Sequence, residues 1–262
     1  MKNILRLTLG GIAAAFFALV AQAANLAPGA FSAGSVKGDV TYKVAGSSEY
    51  QPLKAGVALP QGATIKTGAK SSVLVVFGSG STAVIEESSE IEITKFEQEV
   101  FSGPVPVDSE PSISKTEIKL IEGNITSKVA KLKKGSSYVI DTPVGAAGVR
   151  GTVFRVSYQV GSSTFSIIVT EGGVVYTPKD GSGQETLVEA GKKIDVAFDK
   201  GADGNITSVT IDLQDLEPAE REAIIEALGN VVGGGEAINV NVVGDSIIIT
   251  PVDTTQVGVS TN

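Results

Sequence analysis

Several groups of residues in this 262-residue sequence have types and spacings that could do chemistry. Ser112-Ile113-Ser114-Lys115 fits S-x-x-K, and Lys66-Thr67-Gly68 spells K-T-G, both parts of penicilloyl-type serine enzymes. Here K-T-G comes first, no S-D-N box exists, and Ser112 lies among prolines, where a Ser-Lys dyad would need the start of a packed helix. Chance composition is the better account. Glu86, Glu87, Glu90 and Glu92 could supply the carboxylate pair of a glycosidase. Glu90 and Glu92 alternate with Ile91 and Ile93, however, which reads as the solvated face of a strand, with weak divalent-cation binding as a lesser use. Asp199, Asp203 and Asn205 sit in a Gly-containing loop without the D-x-D-x-D-G spacing of a calcium site, so ordinary hairpin chemistry suffices. Gly62 to Gly68 has one residue too many for a phosphate-binding loop and lacks an adjacent Gly-Lys. The sequence has no Cys and no His. That removes thiol nucleophiles, disulfides, the Ser-His-Asp triad and imidazole or thiolate metal sites. A net charge of −8 argues against a nucleic-acid binder. The expectation is a non-enzymatic protein with no catalytic residue, cofactor or metal.

The elements that would position these residues are mostly strands. Gly is abundant at 31 residues and aromatics make up only 5%, a balance that suits a β protein with many turns. Ser72–Phe77 (SVLVVF) is continuously apolar and β-branched, as a strand buried on both faces would be. Glu90–Thr94 alternates with a period of two. Further strands are expected at Thr116–Ile121, Ile125–Val129, Tyr138–Asp141, Thr152–Gln159, Thr164–Thr170, Gly173–Tyr176, Thr186–Val188 and Lys193–Phe198. Turns at Glu122-Gly123-Asn124, Lys134-Gly135, Lys179-Asp180-Gly181 and Ala190-Gly191 would separate them. Residues 97–114, with Pro104, Pro106 and Pro111, read as a surface loop because proline cannot donate to a ladder. Runs spaced eight to twelve residues apart suggest a sandwich, barrel or solenoid.

At the ends the pattern changes. Lys2 and Arg6 precede an apolar run, Leu7 to Val20, and Ala21-Gln22-Ala23 supplies the small residues of a cleavage site. Residues 1–23 therefore read as a secretory signal peptide, the run being too short for a membrane anchor. Its removal deepens the net charge from −8 to −10. Near the other end, Glu217–Leu228 reads as a helix with Asp215 as N-cap, Ile224, Ile225 and Leu228 as its apolar face, and Gly229 as its stop. With strands at 206–213, 237–243 and 246–251 it would form a small β-α-β-β unit over 204–253. Residues 254–262 read as a disordered tail.

The strongest signature is residues 137–157, SYVIDTPVGAAGVRGTVFRVS. Beyond Arg6 the chain has only three arginines, Arg150, Arg155 and Arg221, and two of them lie here. Arg150 stands among small residues, which lets a carboxylate approach its guanidinium. A bidentate pair that pins strands together is the favoured use, with ligand binding as the other. Arg155 would lie on the opposite face. This segment resembles the FecR domain family, whose core pattern Thr142, Pro143, Gly148, Val149, Arg150, Gly151, Thr152, Phe154 and Val156 match. Thr170-Glu171-Gly172-Gly173-Val174 and Val188-Glu189-Ala190-Gly191 are similar to later family motifs. Ile65-Lys66-Thr67-Gly68 and Ser71–Ser81 are similar to the upstream run of secreted members. The likeness spans about Gly34 to Val196.

The resemblance implies a modified β-helix or β-roll over 24–200. It implies that Thr142, Pro143, Gly148, Val149, Arg150, Gly151, Thr152, Phe154, Glu171 and Gly172 serve structure or partner binding. It also implies signalling in the cell envelope, where membrane-bound members relay the state of a TonB-dependent receptor to a sigma factor. Those members carry an anti-sigma segment and a membrane helix, whereas this sequence opens with a signal peptide. The expectation is an exported module, periplasmic or extracellular, that binds an envelope or surface protein, such as one of TonB-dependent receptor type. A glycan or cell-wall binder is the alternative, weakened by the absence of Trp. A carboxylate-only glycosidase is a more distant one. The terminal unit is similar to the small secretin and TonB short N-terminal domain.

Overall fold

The computed structural model describes residues 25–106, 108–232, 238–243 and 246–251. The expected signal peptide 1–23, the glycine break at 233–235, the turn at 244–245 and the tail 254–262 lie outside the described residues. The chain is mainly β, and all of its described strands but the last two fall into two sheets that share one strand. The first half supplies β1 (Leu26–Pro28), β2 (Phe31–Lys37), β3 (Val40–Lys43), β4 (Gln51–Pro52), β5 (Ala58–Leu59), β6 (Thr64–Thr67), β7 (Ser72–Phe77), β8 (Thr82–Ile85) and β9 (Glu90–Glu99). The shared strand is β10 (Ser114–Lys128). The second half supplies β11 (Ser137–Asp141), β12 (Gly145–Val149), β13 (Val153–Tyr158), β14 (Thr164–Glu171), β15 (Gly173–Pro178), β16 (Thr186–Glu189), β17 (Lys192–Lys200) and β18 (Ile206–Asp215). Helix α1 (Pro218–Val232) follows, and then β19 (Ile238–Val243) and β20 (Ser246–Pro251), which pair with each other.

Sheet I runs β4-β3-β6-β9-β10-β11-β12-β15-β16, with β1 beside the far end of β9. Sheet II runs β5-β2-β7-β8-β10-β13-β14-β17-β18. The outer strands of the two sheets are not joined by ladders, so neither sheet closes into a barrel. After β10 the chain lays antiparallel hairpins alternately on each sheet: β11-β12 on I, β13-β14 on II, β15-β16 on I and β17-β18 on II. This hairpin coil is the form that the expected β-roll takes. The only parallel strand ladder among the described residues is β10 with β11.

One strand serves both sheets because of Gly123. Residues 114–122 of β10 pair with β9 and residues 123–128 with β13. Gly123 has φ of 97°. A Cβ there would lie 2.1 Å from Ser89 Oγ. The sequence suggested a turn at Glu122-Gly123-Asn124; the backbone bends and continues instead, because both flanking apolar runs find partners in line. Likewise β18, expected to belong to the small terminal unit, forms a long ladder with β17, so a boundary at residue 200 falls inside a hairpin of sheet II.

The core lies between the sheets. Phe31, Phe77 and Phe154 from sheet II meet Phe96 and Tyr138 from sheet I edge to face, with centroids 5.2 to 6.4 Å apart. Each such pair adds about 0.5–1.5 kcal/mol beyond burial. Ile91 and Ile93 are fully buried, in keeping with their alternation. β7 is buried on both faces because Leu74 and Val76, with Val84 of β8, point away from the main core and are covered by Leu228 of α1. The helix is held at its start by Lys193 of β17, which pairs with Glu220 at 2.7 Å. Glu220 also accepts from the Glu217 backbone N–H at 3.1 Å, so the local cap is Glu217 with Glu220. The expected cap, Asp215, ends β18 and pairs with Lys192. Ile224 is buried but Ile225 is 58% exposed, and the helix passes through Gly229 to Val232. Among the described residues no helix is long and apolar enough to cross a membrane.

Candidate functional site

Most of the chemistry-bearing residues prove to be structural. Ser112 donates its hydroxyl to the Glu99 carbonyl at 2.7 Å, and Thr67 donates to the Glu86 carbonyl at 2.5 Å. The loop carrying Ser112 spans 100–113, since β9 runs on to Glu99 beside β1. Glu110 anchors this loop. It is 1% exposed and accepts from Ser114 Oγ at 2.8 Å, from the Lys133 backbone N–H at 2.5 Å and from Ser136 Oγ.

The acidic cluster does not converge. Glu86 binds Arg155 and accepts from Thr126 Oγ1 at 2.7 Å. Glu87 accepts from the Lys70 backbone N–H at 2.7 Å. Glu90 binds Lys66 and the Tyr50 hydroxyl. Burial opposes ionisation of Glu90, but the hydrogen bonds from Lys66 and Tyr50 hold its carboxyl below the usual range. Tyr50 is pushed up to about 12 by burial and by the Glu90 carboxylate. Asp203 binds the backbone and side chain of Asn205 across a hairpin turn. Among the described residues no cluster of three or more acidic side chains is arranged to hold a metal ion.

The R-G-T segment divides into residues that the fold requires and residues that it leaves over. Thr142 donates to the Gly145 carbonyl at 2.7 Å and accepts from the Val144 and Gly145 N–H groups, closing the turn that Pro143 caps in solvent. Val149 and Phe154 are core. Gly151 has φ of 111° and lies against the Lys131 backbone, where the chain leaves sheet I for sheet II. Thr152 donates to the Gly173 carbonyl at 3.0 Å. Gly172 has φ of 74°, and a Cβ there would meet the Gly151 carbonyl at 2.4 Å. The pinning pair expected of Arg150 is made by Arg155 instead, whose guanidinium meets Glu86 on the outer face of sheet II. Gly151 turns the chain between the two arginines and puts them on different sheets.

Arg150, Gly148 and Glu171 remain. Among the described residues Arg150 makes no ion pair; it is exposed, and Glu171 is exposed nearby. Arg150 stands between two clefts. One, of about 450 Å³, is lined by Asp108, Lys128, Lys131, Gly151, Thr152 and Glu171. The other, of about 380 Å³, lies on the outer face of sheet I over Ser137, Val139, Gly148, Gly173 and Val175. Ladder partners Val139, Gly148, Val175 and Leu187 form one row across β11, β12, β15 and β16. Val175 and Leu187 are 36% and 55% exposed. Sequence reasoning missed Lys131, Val139, Val175 and Leu187. The one available signal was Val174-Val175, a doubled apolar residue where strict alternation would put a polar one.

The fold and this surface define a two-sheet β-roll that presents an arginine-edged groove, with Glu86, Glu87 and Glu90 tied into structural bonds elsewhere. Residues 63–175 match the family model described as FecR protein. Domains of this family belong to signalling and regulatory proteins. Two solved structures of a candidate anti-sigma factor from Parabacteroides distasonis are similar, at 13% and 14% identity and TM-scores of 0.45 and 0.44. Each alignment covers 67% of this chain and 66% of that one, so this chain spans just under two thirds of their length. Among curated proteins none matches.

Proposed function

We propose that this chain is an exported, non-catalytic FecR-domain module that takes part in envelope signalling by binding another envelope protein. The match of residues 63–175 to the family carries this reading, since it supports a regulatory role. The basic-apolar-small pattern of residues 2–23 supports export. The scattering of Glu86, Glu87 and Glu90 into separate structural bonds supports a role without acid–base chemistry. The contact surface is the outer face of sheet I around Arg150, because α1 covers part of the outer face of sheet II.

The test is photo-crosslinking in cells, with benzophenone-alanine placed at exposed Leu187 and, as a control, at Ser182. A discrete adduct from position 187 that Arg150→Ala abolishes is the expected result. No adduct from 187, or equal adducts from 187 and 182, overturns the assignment of this face. Mass spectrometry of the exported form should find Ala24 at the N-terminus; an intact Met1 end refutes cleavage.

A further inference from the structure

The glycine at 148 has no structural reason to be there. Its φ is not positive, and an added Cβ would meet nothing nearer than the Val175 carbonyl oxygen, at 3.9 Å. Glycine inside a strand weakens it, because the unfolded chain loses more freedom and the strand gains no side-chain packing. By contrast, Gly145 on the same strand lies where a Cβ would sit 2.4 Å from the Tyr176 ring. The consequence of glycine at 148 is a trough along β12. Gly148 is its floor, Val139 and Val175 are its walls, and Arg150 stands at one end. Among the described residues Arg150 is the only charged one lining it, and none of them pairs with that guanidinium. No element of the described chain packs over this face.

We propose that the trough takes an extended segment of a partner protein in which an apolar side chain stands beside a carboxylate. This rests on the protein-binding reading above. The apolar side chain fills the space that a side chain at 148 would occupy, between Val139 and Val175. The carboxylate meets the Arg150 guanidinium, whose planar fork suits two parallel hydrogen bonds. Charge complementarity selects an acidic segment: Arg150 is the one charged residue lining the trough, and the adjoining cleft on its other side adds Lys128 and Lys131 against Asp108 and Glu171, which leaves the balance at this end positive. A basic segment would face Arg150 unpaired.

The experiment uses the full mature chain and the probe N-acetyl-Gly-Leu-Asp-Gly-amide, with amide NMR signals of Gly148 and Gly173 as the readout. Saturable shifts at both glycines are expected. The Asn analogue of the probe should bind about tenfold more weakly, the size of one charge-assisted hydrogen bond. Arg150→Gln should erase the difference between the two probes. Gly148→Val should abolish binding of both while the melting temperature stays level or rises, which separates a filled trough from a misfolded chain. Equal affinity for the two probes on the parent protein, or binding retained by Gly148→Val, overturns the proposal. Loss of the probe shifts with crosslinking at position 187 intact would sink this inference alone. Loss of the crosslink with the probe binding as expected would sink the protein-binding reading alone.

Discussion

Gly123→Ala should be among the most damaging single-methyl changes in this chain. The residue has φ of 97°, a conformation that costs an L side chain about 1–2 kcal/mol. The added Cβ would fall 2.1 Å from Ser89 Oγ, 2.4 Å from Ser89 Cβ and 2.5 Å from Ser89 Cα. The last of these is backbone, so no rotamer change relieves the overlap. Ser89 is 1% exposed, and its hydroxyl accepts from the Asn124 N–H at 2.9 Å. Pushing it aside breaks that bond as well. Overpacking of this kind costs about 1–3 kcal/mol, for a total of about 2–5 kcal/mol. In a domain of this size each kcal/mol shifts Tm by about 2–4 °C, so a drop of about 4–20 °C is expected. Thermal unfolding followed by circular dichroism measures it, with Gly148→Ala as the internal comparison. That change meets no strain and should be neutral or stabilising by up to about 1 kcal/mol. If the two variants melt within about 2 °C of each other, the account of β10 as a strand bent through a glycine-only position is wrong.

Three further outcomes are expected. Glu110→Ala should cost about 2–4 kcal/mol in urea unfolding, because two hydroxyls and a backbone N–H lose their buried acceptor; a loss under about 0.5 kcal/mol would show that the loop does not depend on it. Leu228→Ala should cost about 1–3 kcal/mol and raise hydrogen exchange along β7 and β8, whose outward Leu74, Val76 and Val84 it covers; unchanged exchange there would mean that α1 does not protect that face. Acid should loosen α1 before it unfolds the sheets. The Lys193 hydrogen bond holds the Glu220 carboxyl below its ordinary value of 4.5. A carboxyl depressed on folding stabilises fully above its unfolded value and loses that contribution as pH falls through the folded one. Exchange in residues 218–228 should therefore rise below about pH 4.5, and the Glu220→Gln variant should lose that pH dependence.

The strands that the sequence reveals are those whose side chains settle the matter locally. Ser72–Phe77 reads as buried on both faces, and Ile91 and Ile93 read as one inward face. β12 escapes notice because Gly145-Ala146-Ala147-Gly148 has no strand propensity of its own; its pairing with β11 and β15 decides its conformation. The break expected at Gly123 and the cap expected at Asp215 fail for a related reason. Each residue has the right local chemistry, but a longer-range partner, Ser89 in one case and Lys192 in the other, fixes its role. The R-G-T segment stands out in the sequence, but which of its two arginines is bonded does not. That depends on Gly151 sending the chain to the second sheet, where Glu86, 69 positions before Arg155, waits.

The double membership of β10 bears on how the chain is made. When the first 99 residues have emerged, β9 is an open edge of one sheet and β8 an open edge of the other, and exposed edges of this kind invite pairing between chains. Ser114–Lys128 covers both in a single stroke. The same 15 residues then offer fresh edges to β11 and β13. One short segment thus times the passage from the first half of the protein to the second, and a pause in synthesis or translocation just ahead of residue 114 would leave the chain at its most adhesive.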